Sequence, residues 1–193
     1  QVARGVREAH RQGVIHRDLK PANIMLVDHN EDPDFDKVLD FGLVKIVKQE
    51  DSPELTMTGI FLGSPKYMSP EQIRNQALDA SSDVYSLGII LYQMLTGKPP
   101  FTGDTPASIM IMHLNDPVPP PSSVAPERGI PPSMDAVVLK CVAKAKADRY
   151  PSMDALLAAL KAVRHEVTGS TSSSSSALHV NPQLLSTPPA LPS

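Results

Sequence analysis

Eight residues, His16-Arg17-Asp18-Leu19-Lys20-Pro21-Ala22-Asn23, constrain this chain more than any others. Apolar runs flank them, Val14-Ile15 before and Ile24-Met25-Leu26-Val27 after, with Lys37-Val38-Leu39 further on. That pattern predicts a polar loop presented between short strands. Asp40-Phe41-Gly42 begins seventeen residues after Asn23. An anion, a cation and two oxygen donors then stand in the order that phosphoryl transfer to a hydroxyl requires.

In such a transfer Asp18 is the candidate base, orienting the acceptor hydroxyl and taking its proton late. Lys20, two residues on, can return to the same side and neutralise charge on the migrating group. Asn23 and Asp40 are hard oxygen ligands suited to Mg2+, with the oxygens of ATP and water completing the shell. Gly42 permits a sharp turn after Asp40, and Phe41 can pack beneath that carboxylate. Asp28, Asn30 and Asp32 imitate the first half of a calcium loop, but Pro33 stands where glycine is required and Leu39 where a bidentate Glu should be. A solvated hairpin connector over Asp28 to Asp36 is the expected structure.

The rest of the chain predicts mainly helix. Val2, Val6, Ala9 and His10 share one helical face, and Gly13 can supply a left-handed stop. Residues 43 to 69 show no sustained periodicity and are expected to form a long loop. Ser82 to Leu95 is apolar on nearly every side, which predicts a buried helix. Thr105-Pro106 opens a helix to about Asn115. Pro117 to Pro132 is proline-rich and is expected to wrap the surface without regular structure. Met134, Val137, Val138, Cys141 and Val142 form one apolar face. Ser152 caps a last helix with Met153, Leu156, Leu157, Leu160 and Val163 inward. From Thr168 the serine run and scattered prolines predict a disordered tail.

In these residues the chain resembles the large C-terminal lobe of a eukaryotic-type protein kinase, in the style of bacterial members. The resemblance spans about Gln1 to Glu166 and includes Ser69-Pro70-Glu71, which is similar to the end of the activation segment. It implies a mainly α fold with short β-hairpins around the catalytic loop. Residues 1–166 would be a partial kinase domain, and 167–193 a Ser/Pro-rich tail or linker. The implied activity is ATP-dependent phosphorylation of Ser or Thr hydroxyls on protein substrates by the intact parent kinase. Lys20 and the Gly63-Ser64 pair resemble the Ser/Thr branch, where Ser64 would contact Asp18 and Lys20. Ala22 stands where many basic-directed kinases carry Glu.

Further roles follow from the same resemblance. Arg17 before the catalytic Asp is the pattern of kinases switched by activation-loop phosphorylation, with Thr56 and Thr58 as candidate sites and Ser52 third. Met25 would form the adenine floor, Lys20 would also meet nucleotide, and His16 would stack on Phe41. Glu71 and Arg149 would make a buried ion pair, and Asp83 would accept hydrogen bonds from the catalytic-loop backbone. His10, His29, His113, His165 and His179 have no ligand spacing and receive no role.

Composition removes other classes. A net charge of -3 without a basic stripe argues against nucleic-acid binding. One cysteine excludes an internal disulfide and suits a reducing, cytoplasmic setting. Leu87 to Leu95 is too short to span a membrane, so any tether would belong to a segment outside this chain. The chain begins on Gln1 and holds no glycine-rich nucleotide loop, strand lysine or helix glutamate of the small N-terminal lobe. It is therefore expected to be a fragment whose missing N-lobe lies upstream, and to be inactive by itself. Two other readings compete: a truncated lobe or pseudokinase acting as an interaction module, and a small-molecule phosphotransferase. Intact Asp18, Asn23 and Asp40 weigh against the first, and Ser69-Pro70-Glu71 with Arg17 and Lys20 against the second.

Overall fold

The computed structural model describes residues 1–29, 32–38 and 64–174. Its first helix, α1 (Val2–Arg11), buries Ala3 and Val6. Gly13 ends it at φ +76°, with the Gly13 N–H donating to the His10 carbonyl and the Val14 N–H to the Ala9 carbonyl. This paired closure is why the chain turns so sharply into the polar loop. Among the described residues, Val14 and Ile15 pair with nothing as a strand. They lead from Gly13 into the polar loop outside any helix.

A 3-10 turn over Pro21–Asn23 leads into β1 (Ile24–His29), which pairs antiparallel with β2 (Asp32–Val38). Ile24 faces Val38 and Val27 faces Phe35, with a bulge between Val27 and His29. The connector expected over 28–36 is thus mostly strand. Backbone pairing outweighs the low strand preference of its acidic residues, as often happens in hairpins.

Another 3-10 turn, Pro65–Tyr67, precedes the short helix α2 (Pro70–Ile73). The centre of the molecule is α3 (Ala80–Thr96), buried continuously from Ser81 to Ile90 and again at Tyr92. A capping box starts it: Asp79 Oδ1 accepts from the Ser81 N–H at 2.8 Å, and the Asp79 N–H reaches Ser82 Oγ at 3.4 Å. Gly97, at φ +82°, stops it. Close approach to a neighbouring helix depends on Gly88, where an added Cβ would lie 2.5 Å from the Cys141 Cβ and 2.9 Å from Val142 Cγ1.

The remaining helices surround α3. Thr105 caps α4 (Pro106–Asn115) through the Ser108 N–H, as its Thr-Pro start predicts. The proline-rich segment is not structureless: it makes a helical turn, α5 (Pro121–Val124), then a 3-10 turn at Pro126–Arg128, and buries Ala125 and Ile130. Proline suits the first position of each turn, since the donor it lacks would be unpaired there. Asp135 of α6 (Pro132–Cys141) holds α5 by accepting from the backbone N–H and hydroxyl of Ser122. Ser152 Oγ accepts from the Ala155 N–H to start α7 (Met153–Ser174), which buries Met153, Leu156 and Val163.

Helix α7 runs past the expected boundary at 167. The Thr168 hydroxyl donates to the Arg164 carbonyl at 2.9 Å, so its competing polar group is satisfied within the helix. Extending a formed helix is far easier than nucleating one. Residues 175–193, assigned to a tail, lie outside the described residues. Among those described, no helix is long and apolar enough to cross a membrane. Among the described residues the architecture is a mainly α lobe with one two-stranded hairpin following the polar loop.

Candidate active site

Loop 14–20 is shaped from below by α3. Arg17 adopts φ +67°, a left-handed conformation that costs a non-glycine residue about 1–2 kcal/mol. Asp83, 1% exposed, holds it there: its Oδ2 accepts from the His16 N–H at 2.8 Å and its Oδ1 from the Arg17 N–H at 3.0 Å. The same Oδ2 meets His10 Nε2 at 2.7 Å, joining α1 to the loop. Gln72 Nε2 donates to the Arg17 carbonyl at 2.5 Å.

This turn carries Asp18 to a partly exposed position. Asp18 Oδ2 receives Lys20 Nζ at 2.7 Å and the Asn23 amide at 3.3 Å, while the Asp18 carbonyl takes the same Asn23 amide at 2.8 Å. His16 is fully buried, and its Nδ1 accepts from the Asp18 N–H at 3.4 Å. Among the described residues no hydrogen bond occupies Asp18 Oδ1. That atom is available to an acceptor hydroxyl.

Asn23, 7% exposed, has its amide nitrogen committed to Asp18, which leaves its carbonyl oxygen for a hard cation. The donor chemistry therefore fits Mg2+. Asp40, the expected second ligand, lies outside the described residues, as do Phe41, Gly42, Ser52, Thr56 and Thr58. Among the described residues no group of three His, Cys, Asp or Glu could hold a metal. Met25 on β1 is 48% exposed, so the face expected to receive adenine is open.

An open groove of about 670 Å³ is lined by Lys20, the ion partner of Asp18, and by Pro21, Ala22, Ser64, Pro65 and Tyr67. Ser64 shares this groove with Lys20, but no hydrogen bond joins it to Lys20 or Asp18; the expected contact is corrected to proximity. The groove wall is anchored to α3 through Ser86 Oγ, which donates to the Tyr67 carbonyl at 2.7 Å, and through Tyr67 OH, which donates to Gln93 Oε1 at 2.7 Å. His113 of α4 supports it from behind, bonding the Lys66 carbonyl through Nε2 at 3.1 Å and the Tyr85 hydroxyl through Nδ1 at 2.8 Å. Burial and the Lys144 ammonium push the His113 pKa down to about 4.

Glu71 and Arg149 form the expected fork, with Nη1 to Oε1 at 2.8 Å and Nη2 to Oε2 at 2.9 Å, both side chains buried. Arg149 also donates to the carbonyls of Ala143, Ser81 and Lys144. Burial alone would raise the Glu71 carboxyl; the hydrogen bonds from Arg149 and Ser82 hold it below its ordinary value instead. Three structural residues escape a reading of the sequence: Gln72, His10 and His113. Each meets a partner far away in the chain, and none carries a local signal beyond the Ser69-to-Gln72 capping-box spacing.

A protein kinase domain model matches residues 1–165. Among similar curated proteins, serine/threonine-protein kinase pkn3 of Myxococcus xanthus is 46% identical over 167 residues, covering 86% of this chain and 30% of that protein. Serine/threonine-protein kinase PknB of Mycobacterium leprae is 47% identical over 143 residues, covering 74% and 22%. Pkn1 of Myxococcus xanthus is 43% identical over 161 residues, covering 83% and 23%. The chain spans less than a third of the length of each of these relatives.

Proposed function

The chain belongs to the protein kinase domain family, and on that premise we propose that it supplies the base and metal-ligand side of ATP-dependent phosphorylation of protein Ser or Thr hydroxyls. The observation that carries this reading is the Asp18 carboxylate. One of its oxygens is tied to Lys20 and Asn23, and the other faces no hydrogen-bond partner among the described residues. Asp18 Oδ1 would accept the hydrogen bond of an incoming hydroxyl lying in the groove of Lys20, Ala22, Ser64 and Tyr67, fixing the oxygen in line. As the hydroxyl oxygen bonds the transferring phosphorus and the bond from that phosphorus to ADP breaks, the hydroxyl proton would pass to that carboxylate and ADP would leave. Lys20 would exchange its contact with Asp18 for the transferring phosphoryl oxygens as charge builds there. Asn23, with Asp40, would ligate Mg2+; bound MgATP supplies the phosphoryl group and screens its negative charge. Thr56 and Thr58 would be the loop phosphosites, with Arg17 as the cationic partner. The absence of acidic groups at Ala22 speaks for acceptors not led by arginine.

Asp18→Asn in the full-length protein tests this. The side chain keeps its size but not its anionic acceptor, so kcat should fall by about 10²–10⁴ with KM for ATP little changed. Undiminished phosphorylation of a Ser/Thr protein substrate by that variant would overturn the reading. The 193 residues alone should transfer phosphate negligibly. They contain no glycine-rich nucleotide loop, and each lost electrostatic group of that kind costs about 10²–10³ in rate.

A further inference from the structure

The strained turn that aims Asp18 has two backbone handles, and only one of them, the Arg17 N–H, is held by Asp83. The other, the Arg17 carbonyl, is held by Gln72 at 2.5 Å. Gln72 occupies the third position of α2, where its Oε1 accepts from the Ser69 N–H at 2.9 Å and its own N–H reaches Ser69 Oγ at 3.4 Å. Its amide cannot flip, since a reversal would set NH2 against the Ser69 N–H and oxygen against the Arg17 carbonyl. The helix beneath it is fixed in turn, because the preceding Glu71 is locked by Arg149.

We propose that Gln72 is a positioning residue for the catalytic base: its carboxamide ties the α2 N-terminus to the Arg17 carbonyl, so that Asp18 is aimed from both ends of the left-handed residue. A left-handed non-glycine residue persists only where its surroundings over-determine it. With the carbonyl released, Arg17 can relax about its own ψ, and the direction of Asp18, the next residue, changes with it. The kinetic part of this inference rests on the phosphoryl-transfer reading above; its conformational part does not.

Two substitutions separate the two bonds of the carboxamide. Gln72→Glu retains the acceptor for the Ser69 N–H and loses the donor to Arg17, placing a carboxylate against that carbonyl. Gln72→Lys retains a donor for Arg17 and loses the acceptor for the Ser69 N–H, leaving only the backbone half of the cap. In the full-length protein, Gln72→Glu should melt no lower than Gln72→Lys while kcat drops about tenfold to a hundredfold, the scale of a small misplacement of a reacting group. KM for ATP should stay within about twofold, as an effect confined to the base implies. Gln72→Lys should melt lower yet keep most of kcat. Parental kcat in Gln72→Glu, or the reverse ordering of the two variants, overturns the proposal.

Amide hydrogen exchange on the 193-residue chain gives a readout independent of activity. In Gln72→Glu, exchange should quicken over residues 14–20 and stay parental over 80–96. Unchanged exchange at 14–20, or loosening throughout the lobe, also overturns it. If no variant or parent transfers phosphate, the phosphoryl-transfer reading fails, and exchange at 14–20 still decides the role of Gln72.

Discussion

Acid should loosen this lobe through His113, and the size of the effect follows from the geometry. Its Nε2 bonds a carbonyl and so carries the ring proton, leaving Nδ1 to accept from Tyr85 OH. A second proton would enter a site walled by the Tyr85 hydroxyl, the Phe101 ring and the Lys144 ammonium, whose Nζ sits 2.8 Å from the His113 carbonyl. The folded protein therefore takes up that proton only near pH 4, against 6.5 for an ordinary histidine. Between those values the unfolded chain binds more protons, so stability falls as pH falls from 6.5 towards 4 and levels off below. The gap corresponds to about 3 kcal/mol at roughly 1.4 kcal/mol per pH unit. Urea unfolding followed by circular dichroism at several pH values between 7 and 4, on the parent chain and on His113→Gln, isolates it. Glu71 also loses stabilisation in acid, because its carboxyl is held below its ordinary value, but it does so in both proteins and cancels in the difference. The stability advantage of the parent over His113→Gln should shrink by about 3 kcal/mol across the range. Parallel curves would refute the reasoning.

Arg149→Leu leaves the Glu71 carboxylate buried without its fork and should cost about 3–5 kcal/mol, whereas the double substitution Glu71→Leu/Arg149→Leu should recover much of that loss in chemical denaturation. Gly88→Ala drives a methyl into Cys141 and Val142 and should lower stability by about 1–3 kcal/mol, seen as a drop in melting temperature; a neutral outcome would mean that α3 and α6 are less tightly apposed. Burial pushes the Cys141 thiol up to about 12, so an aromatic disulfide reagent at pH 8 should label it only when urea is added. Rapid labelling of the native chain would contradict the position of that thiol in the core.

Local signals explain what could be read without the structure. Thr105-Pro106, Ser152 and Gly13 satisfy helix ends from within a few residues, and the helices begin or stop where they predict. The polar turn over 16–23 was legible because its residues are contiguous, and the partners of Glu71, Arg149 and Asp83 because the kinase resemblance supplies what spacing alone cannot. Gln72, His10 and His113 act across long separations: Gln72 reaches Arg17 over 55 positions and His10 reaches Asp83 over 73. Nothing near them in the chain announces the partner. The hairpin is longer than its acidic composition suggests because two backbones satisfy each other, a cooperative effect outside single-residue preference. Prolines in the 117–132 segment read as breakers, yet they start two helical turns.

Arg149 has a consequence for the order in which the lobe can be completed. Its guanidinium gathers the Glu71 carboxylate and carbonyls from 81, 143 and 144, with Glu71 lying 78 positions earlier in the chain. A nascent chain extending from the ribosome exposes Glu71 long before the arginine that neutralises it has been made. Until then the carboxylate favours water over the interior, which opposes early docking of α2 and, through Gln72, early ordering of the turn at Arg17. Synthesis of one late residue would thus release a polar turn made some 130 residues before it.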